Sequence, residues 1–96
     1  MAEYLLSNLA DQDISDIYQY TVSEFGESKA NAYLTGIDEK LTLLAEQPRL
    51  GRSIDFVREG YFRSEYASHS IFYTLVEEGI LVVRVLHNRM DSTLHL

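Results

Sequence analysis

All three histidines (His69, His87, His95) and all six arginines (Arg49, Arg52, Arg58, Arg63, Arg84, Arg89) fall in the second half of this 96-residue chain. An anionic partner or a proton transfer therefore belongs to that half. Metal binding is not expected: the intervals between the histidines match no common ligand spacing, no cysteine is present, and only Asp91 lies near enough in sequence to help. A serine hydrolase needs its nucleophile on a strained turn, yet no Gly-x-Ser-x-Gly string occurs and Ser68-His69-Ser70 falls at a strand edge. The five glycines (Gly26, Gly36, Gly51, Gly60, Gly79) are too scattered to cradle a phosphate. What the residue types do allow is metal-free phosphodiester cleavage, with Arg63 and Arg84 on the phosphate and Tyr73 or His87 moving the proton. Their ordinary structural use is the stronger reading. Strand tyrosines pack with the hydroxyl at the rim, and lone arginines on a sheet cover apolar neighbours or pair with acids such as Glu65.

The elements that must position these residues are legible from periodicity. Tyr4 to Leu6 is a short apolar stretch, and Ser7 then offers a helix N-cap. Ala10, Ile14, Ile17, Tyr18, Thr21, Val22 and Phe25 recur at helical spacing, with Asp11 and Asp13 early, where the helix dipole favours negative charge, and Gly26 at the end. Ser28 can cap a second helix, in which Ala30, Leu34, Ile37, Leu41 and Leu44 alternate steps of four and three until Pro48. A turn this short makes the two helices antiparallel. Asp38, Glu39, Lys40 and Glu46 fall between the apolar positions and form a solvated face; Gly36, mid-helix, permits close packing.

Beyond Pro48 the pattern changes to strands: Tyr61 to Tyr66, His69 to Val76 and Ile80 to His87, with Glu77-Glu78-Gly79 as a tight hairpin turn. In the last strand Leu81, Val83 and Val85 are expected on one face, and Ile80, Val82, Arg84 and Leu86 on the other. With both faces largely apolar, that strand is central or covered. The result is a single α+β domain, residues 1 to 96, with a helical hairpin on one face of an antiparallel meander. The other face is left partly open, and an open, half-apolar face invites a partner.

Composition bounds the function. With 46% hydrophobic residues and one proline, the chain packs a core, though a modest one at this length. The absence of cysteine gives no sign of an oxidising compartment, and the N-terminus lacks the basic-then-apolar pattern of a signal peptide, so a cytoplasmic protein with no membrane segment is expected. Net charge is -7. Nine acidic residues against two lysines up to Gln47 account for all of it, because six acids balance six arginines after that point. That excludes broad, sequence-independent nucleic-acid binding, which draws its energy from lysine and arginine on phosphates.

Three ordered sets of strings carry a resemblance. The first runs Tyr4-Leu5-Leu6-Ser7, Ala10, Asp13-Ile14-Ser15-Asp16-Ile17, Phe25-Gly26 and Leu44-Ala45-Glu46-Gln47-Pro48-Arg49-Leu50-Gly51-Arg52. Next come Val57-Arg58-Glu59-Gly60-Tyr61 and Ser68-His69-Ser70-Ile71-Phe72-Tyr73, and last Val83-Arg84-Val85-Leu86-His87-Asn88-Arg89-Met90-Asp91. In order and spacing the chain resembles the ParE toxins of bacterial type II toxin–antitoxin systems, over nearly its whole length. It departs from them in having Phe25-Gly26 where the family commonly has Trp-Gly, and in being more acidic than many members.

The resemblance implies a β-α-α-β-β-β fold, with Tyr4 to Leu6 as a sheet strand, and an inhibitor that binds the GyrA subunit of DNA gyrase without turnover or cofactor. It implies a ParD-like antitoxin as partner, with operator DNA reached only through that antitoxin. The acidic helical half predicts complementary basic residues in the antitoxin. Candidates for the region governing toxicity are Arg58, Tyr61, Arg63, His69, Arg84, His87, Arg89 and Met90, with the tail motif weighted most. Arg84 and His87 could equally serve structure, at helix ends and the sheet edge. The alternatives are a ribosome-dependent messenger RNA interferase of the RelE kind, which would need a basic surface, and a degenerate toxin that keeps only antitoxin binding.

Overall fold

A computed structural model describes residues 2–96. The chain runs β1 (Glu3–Leu6), α1 (Asn8–Phe25), α2 (Glu27–Glu46), β2 (Arg52–Ser53), β3 (Tyr61–Tyr66), β4 (His69–Val76) and β5 (Gly79–His87), with short 3₁₀ turns at Pro48–Leu50 and Ser92–Leu94. Strand order across the sheet is β1-β5-β4-β3-β2. The meander β3-β4-β5 is antiparallel as expected, while β1 lies parallel to β5 and makes the sheet mixed. The α1–α2 connection separates β1 from the meander, and such a crossover is what a parallel neighbour requires. No helix of the described residues is long and apolar enough to cross a membrane.

Ser7 fixes the start of α1. Its Oγ accepts from the Ala10 amide at 3.0 Å and donates to the Val83 carbonyl at 2.7 Å, so one hydroxyl caps the helix and ties it to the sheet. Gly26, at φ 90°, is the whole turn between the helices: its amide donates to the Val22 carbonyl, and it stands at the N-cap of α2. Ser28 is therefore inside the first turn of α2 and caps nothing. Tyr18 donates to Asn31 at 2.8 Å across the hairpin, as antiparallel helices require.

The main core lies between the hairpin and one sheet face. Ala10, Ile37, Leu41 and Leu44 meet Ile71, Tyr73, Ile80, Val82 and Val85, all essentially excluded from water. A smaller cluster of Ile54, Phe72 and Leu86 lies apart from the main core, flanked by Val57, Tyr61 and Leu96. Val85 thus shares the hairpin side with Ile80 and Val82, contrary to strict alternation along β5. The cause is a β-bulge: Tyr73 pairs with Val82 and Phe72 with Arg84, leaving Val83 as the extra residue and reversing the faces beyond it. At the other end of β5 the hairpin loop is two residues, Glu77 and Glu78, because Gly79 already pairs with Val76. A Cβ on Gly79 would lie 2.1 Å from the Glu3 carbonyl, so glycine is what lets β1 come alongside.

Candidate functional site

A groove of about 930 Å³ opens between the outer half of the hairpin and the ends of β3, β4 and β5. Helix α1 supplies Asp16, Ile17, Tyr20 and Phe25 to one wall, α2 supplies Lys29 and Tyr33, and Met90, from the turn after β5, closes the far side. Tyr20 is 63% exposed, Phe25 59% and Met90 42%, so three large apolar side chains face solvent on one concave surface. Such a surface binds an apolar partner when one is present. The Lys29 ammonium lies 5.7 Å from the centre of the Phe25 ring, covering its face.

The floor is aromatic and neutral. The Tyr33 hydroxyl and His69 Nδ1 are hydrogen-bonded, and the Tyr33 ring meets Tyr66 and His69 edge-on at 5.2 and 5.6 Å between centroids. His69 in turn meets His87 edge-on at 5.5 Å. Burial, and secondarily the neighbouring His87, holds His69 below the usual histidine range. Burial, and secondarily Tyr66, pushes the Tyr33 hydroxyl up to about 12, so it stays protonated. Tyr66 is in place because Gly36 of α2 lets its hydroxyl approach: a Cβ there would sit 1.7 Å from that oxygen.

At the α1 wall, Asp13 takes up Arg84. Its carboxylate accepts from Arg84 Nε at 2.7 Å, Arg84 Nη2 at 2.9 Å and the Val85 amide at 3.0 Å. Only 15% of the Arg84 side chain is exposed, and the bond to Asp13 raises its pKa further. Arg84 is consequently a structural clamp across the bulge, and Asp13, read from sequence as a dipole-favoured helix start, is its partner. Beyond β5, the His87 carbonyl accepts from the Met90 amide at 2.9 Å and His87 Nδ1 accepts from the Arg89 amide at 3.1 Å, forming a compact turn that presents Arg89 and Met90.

The eight candidates therefore divide. His69, His87 and Met90 share the groove, with Arg84 bonded to Asp13 of its wall and Arg89 on the adjoining turn. Arg58, Tyr61 and Arg63 belong instead around the small second cluster, where both arginines are bonded to other groups of the protein. Arg58 donates to the Leu96 carbonyl at 2.9 Å and covers the Tyr61 ring; Arg63 donates to Ser70 Oγ at 2.9 Å and covers Phe72. Nor does the fold assemble the phosphodiester-cleaving set. Tyr73 is buried, its hydroxyl donating to the Pro48 carbonyl and accepting from the Gly51 amide, while Arg63 and Arg84 are held by Ser70 and Asp13. Tyr20, Phe25, Tyr33 and Tyr66 were missed by the sequence reading. The signal available in the sequence was weak: Phe25 stood there only as the last apolar position of the first helix, and Tyr33 fell outside the apolar spacing of the second.

Residues 4–92 match the family model described as ParE toxin of type II toxin-antitoxin system, parDE. The chain belongs to the ParE toxin family. Among relatives, it is 38% identical over 91 residues to Toxin ParE1 of Mycobacterium tuberculosis, covering 94% of this chain and 93% of that protein. It is 33% identical over 96 residues to Toxin ParE1 of Caulobacter vibrioides, covering 100% of this chain and 99% of that protein. The fold of this ParE-family chain is that of a chain in the chromosomal ParDE toxin–antitoxin system from P. aeruginosa, at TM-score 0.75, 20% identity and coverage of 91% and 96%. A chain of the YoeB-YefM complex from Staphylococcus aureus also matches, at TM-score 0.55 and 16% identity, with coverage of 91% and 97%.

Proposed function

We propose that this chain inhibits DNA gyrase by binding it, in the cytoplasm and without turnover, and that a ParD-like antitoxin silences it by laying a flexible segment in the groove. The observation that carries the reading is family membership across residues 4–92, the stretch that includes both the groove and the Leu86 to Asp91 tail. Physical chemistry supports the antitoxin half. A small domain with Tyr20, Phe25 and Met90 exposed along one groove gains burial from an amphipathic segment that orders on it. Contact with operator DNA then comes through the antitoxin, consistent with a toxin of net charge -7. A RelE-like nuclease reading is disfavoured by the engagement of Tyr73, Arg63 and Arg84 in internal bonds.

The test is a supercoiling and DNA-cleavage assay with purified gyrase, run beside a messenger RNA cleavage assay on translating ribosomes, with wild type and Arg89→Ala. Gyrase-dependent breaks that antitoxin blocks and Arg89→Ala weakens are the expected result. Intact gyrase activity with cleaved message would overturn it, and silence in both assays would leave a toxin that has lost this target.

A further inference from the structure

His87 has two ring nitrogens with separate surroundings. Nδ1 accepts from the Arg89 amide at 3.1 Å, so in the neutral ring the proton sits on Nε2. That Nε2–H has no partner among the described residues, and the ring lines the groove edge-on to His69. The groove thus offers, at its His87 edge, a ring N–H whose direction is fixed by the bond at the opposite nitrogen, the kind of polar group that sets orientation for a largely apolar occupant. The same ring, through Nδ1, holds the turn carrying Arg89 and Met90.

We infer that His87 serves two partners with its two nitrogens: Nε2–H donates to an oxygen of the antitoxin segment in the groove, and Nδ1 holds the Arg89–Met90 turn in the shape that meets the target. The inference rests on the functional reading above. It specifies the occupant: an apolar segment with an uncharged oxygen acceptor over His87 and lysine or arginine on its α1 side. The basic side follows from charge, because Asp16 stands in that wall and the first 47 residues carry nine acids against two lysines. Met90 lines the groove too, so the segment covers part of the surface meant for the target, and the two partners exclude each other.

Two substitutions separate the nitrogens. In His87→Asn the side-chain oxygen can stand where Nδ1 stood and accept from Arg89, but nothing reaches the Nε2 position. In His87→Gln the amide nitrogen can stand at Nε2, and the Nδ1 acceptor is lost. Affinity for the cognate ParD-like antitoxin, measured by calorimetry, should fall about five- to tenfold for His87→Asn, as for one lost hydrogen bond, and stay within about twofold for His87→Gln. Gyrase inhibition should show the reverse order. Equal losses in both assays for both variants, with unchanged thermal melts, would overturn the inference, as would wild-type affinity in His87→Asn. If wild type leaves gyrase untouched, the functional reading falls and takes the target half with it, while the affinity arm still decides for or against the Nε2 donor.

Discussion

The groove and the neighbourhood of the small second cluster have nearly opposite characters. Around that cluster lie three of the six arginines of the sequence, and each is engaged: Arg58 on the Leu96 carbonyl, Arg63 on Ser70, and Arg52 with Glu65 at 3.4 Å. The groove carries little net charge, but its large side chains, Tyr20, Phe25 and Met90, stand largely open to solvent. Basic residues drew attention in the sequence because phosphate and acidic partners need them. In the fold, availability decides, and the available surface is aromatic. A residue's type says what it can bind; its neighbours say whether it already has.

The largest effect should come from the joint between the groove wall and the sheet. Asp13→Ala leaves Arg84, only 15% exposed, without its carboxylate and the Val85 amide without its acceptor. Breaking a poorly solvated ion pair by removing one partner costs roughly 3 kcal/mol, which urea denaturation would read directly. Pairing Asp13→Ala with Arg84→Leu should recover part of the loss, since no lone charge then remains. A cost below about 1 kcal/mol for Asp13→Ala would mean that water already solvates this pair, and that the groove wall is no firmer than the surface around Arg52.

Which parts of this were legible in the sequence depends on the range of the interactions. Both helices and the three long strands follow from spacing, because 3.6- and 2-residue periods are local. The Asp13–Arg84 clamp joins positions 71 residues apart, and nothing in either neighbourhood announces it. The Val83 bulge is likewise met by distant residues, Ser7 bonding the Val83 carbonyl and Asp13 the Val85 amide, and strict alternation placed Val85 on the wrong face. Ser28 looked like a cap because it is a serine at the right place, but Gly26 with its positive φ made the turn two residues tighter. Of the site, the tail residues were legible through the resemblance. The aromatic floor was not, because Tyr33 and Tyr66 lie in unrelated segments that only the close approach at Gly36 brings together.

That approach gives the next two tests. Gly36→Ala gains up to about 1 kcal/mol of helix propensity but drives a methyl into the Tyr66 hydroxyl, so a net loss of about 1–2 kcal/mol is expected. Displaced Tyr66 should also weaken antitoxin binding; a stabilised variant with normal binding would show the floor to be loosely packed. The second test is pH. His69 has a folded pKa below its unfolded value, so the unfolded chain takes up the proton first as pH falls. The stability this contributes is fully present above about pH 6.5, the unfolded value, and is lost as pH drops towards the folded pKa. Denaturation midpoints measured from pH 7.5 to 5 should show that decline, and His69→Asn, which keeps an acceptor for Tyr33 and cannot titrate, should shrink it.

The smallest expected effect belongs to the other side of the comparison. Arg52→Ala removes a side chain 63% exposed and a single 3.4 Å contact with Glu65, which salt and water already screen, so stability should change by less than about 0.5 kcal/mol. The informative readout is function. Were this surface idle, gyrase inhibition and antitoxin affinity would both match wild type. A fall in inhibition alone, with the denaturation curve unmoved, would make the region around β2 a second contact for the target. The contrast drawn above would then have to be rewritten, with the groove for the antitoxin and the arginine-bearing region for the target.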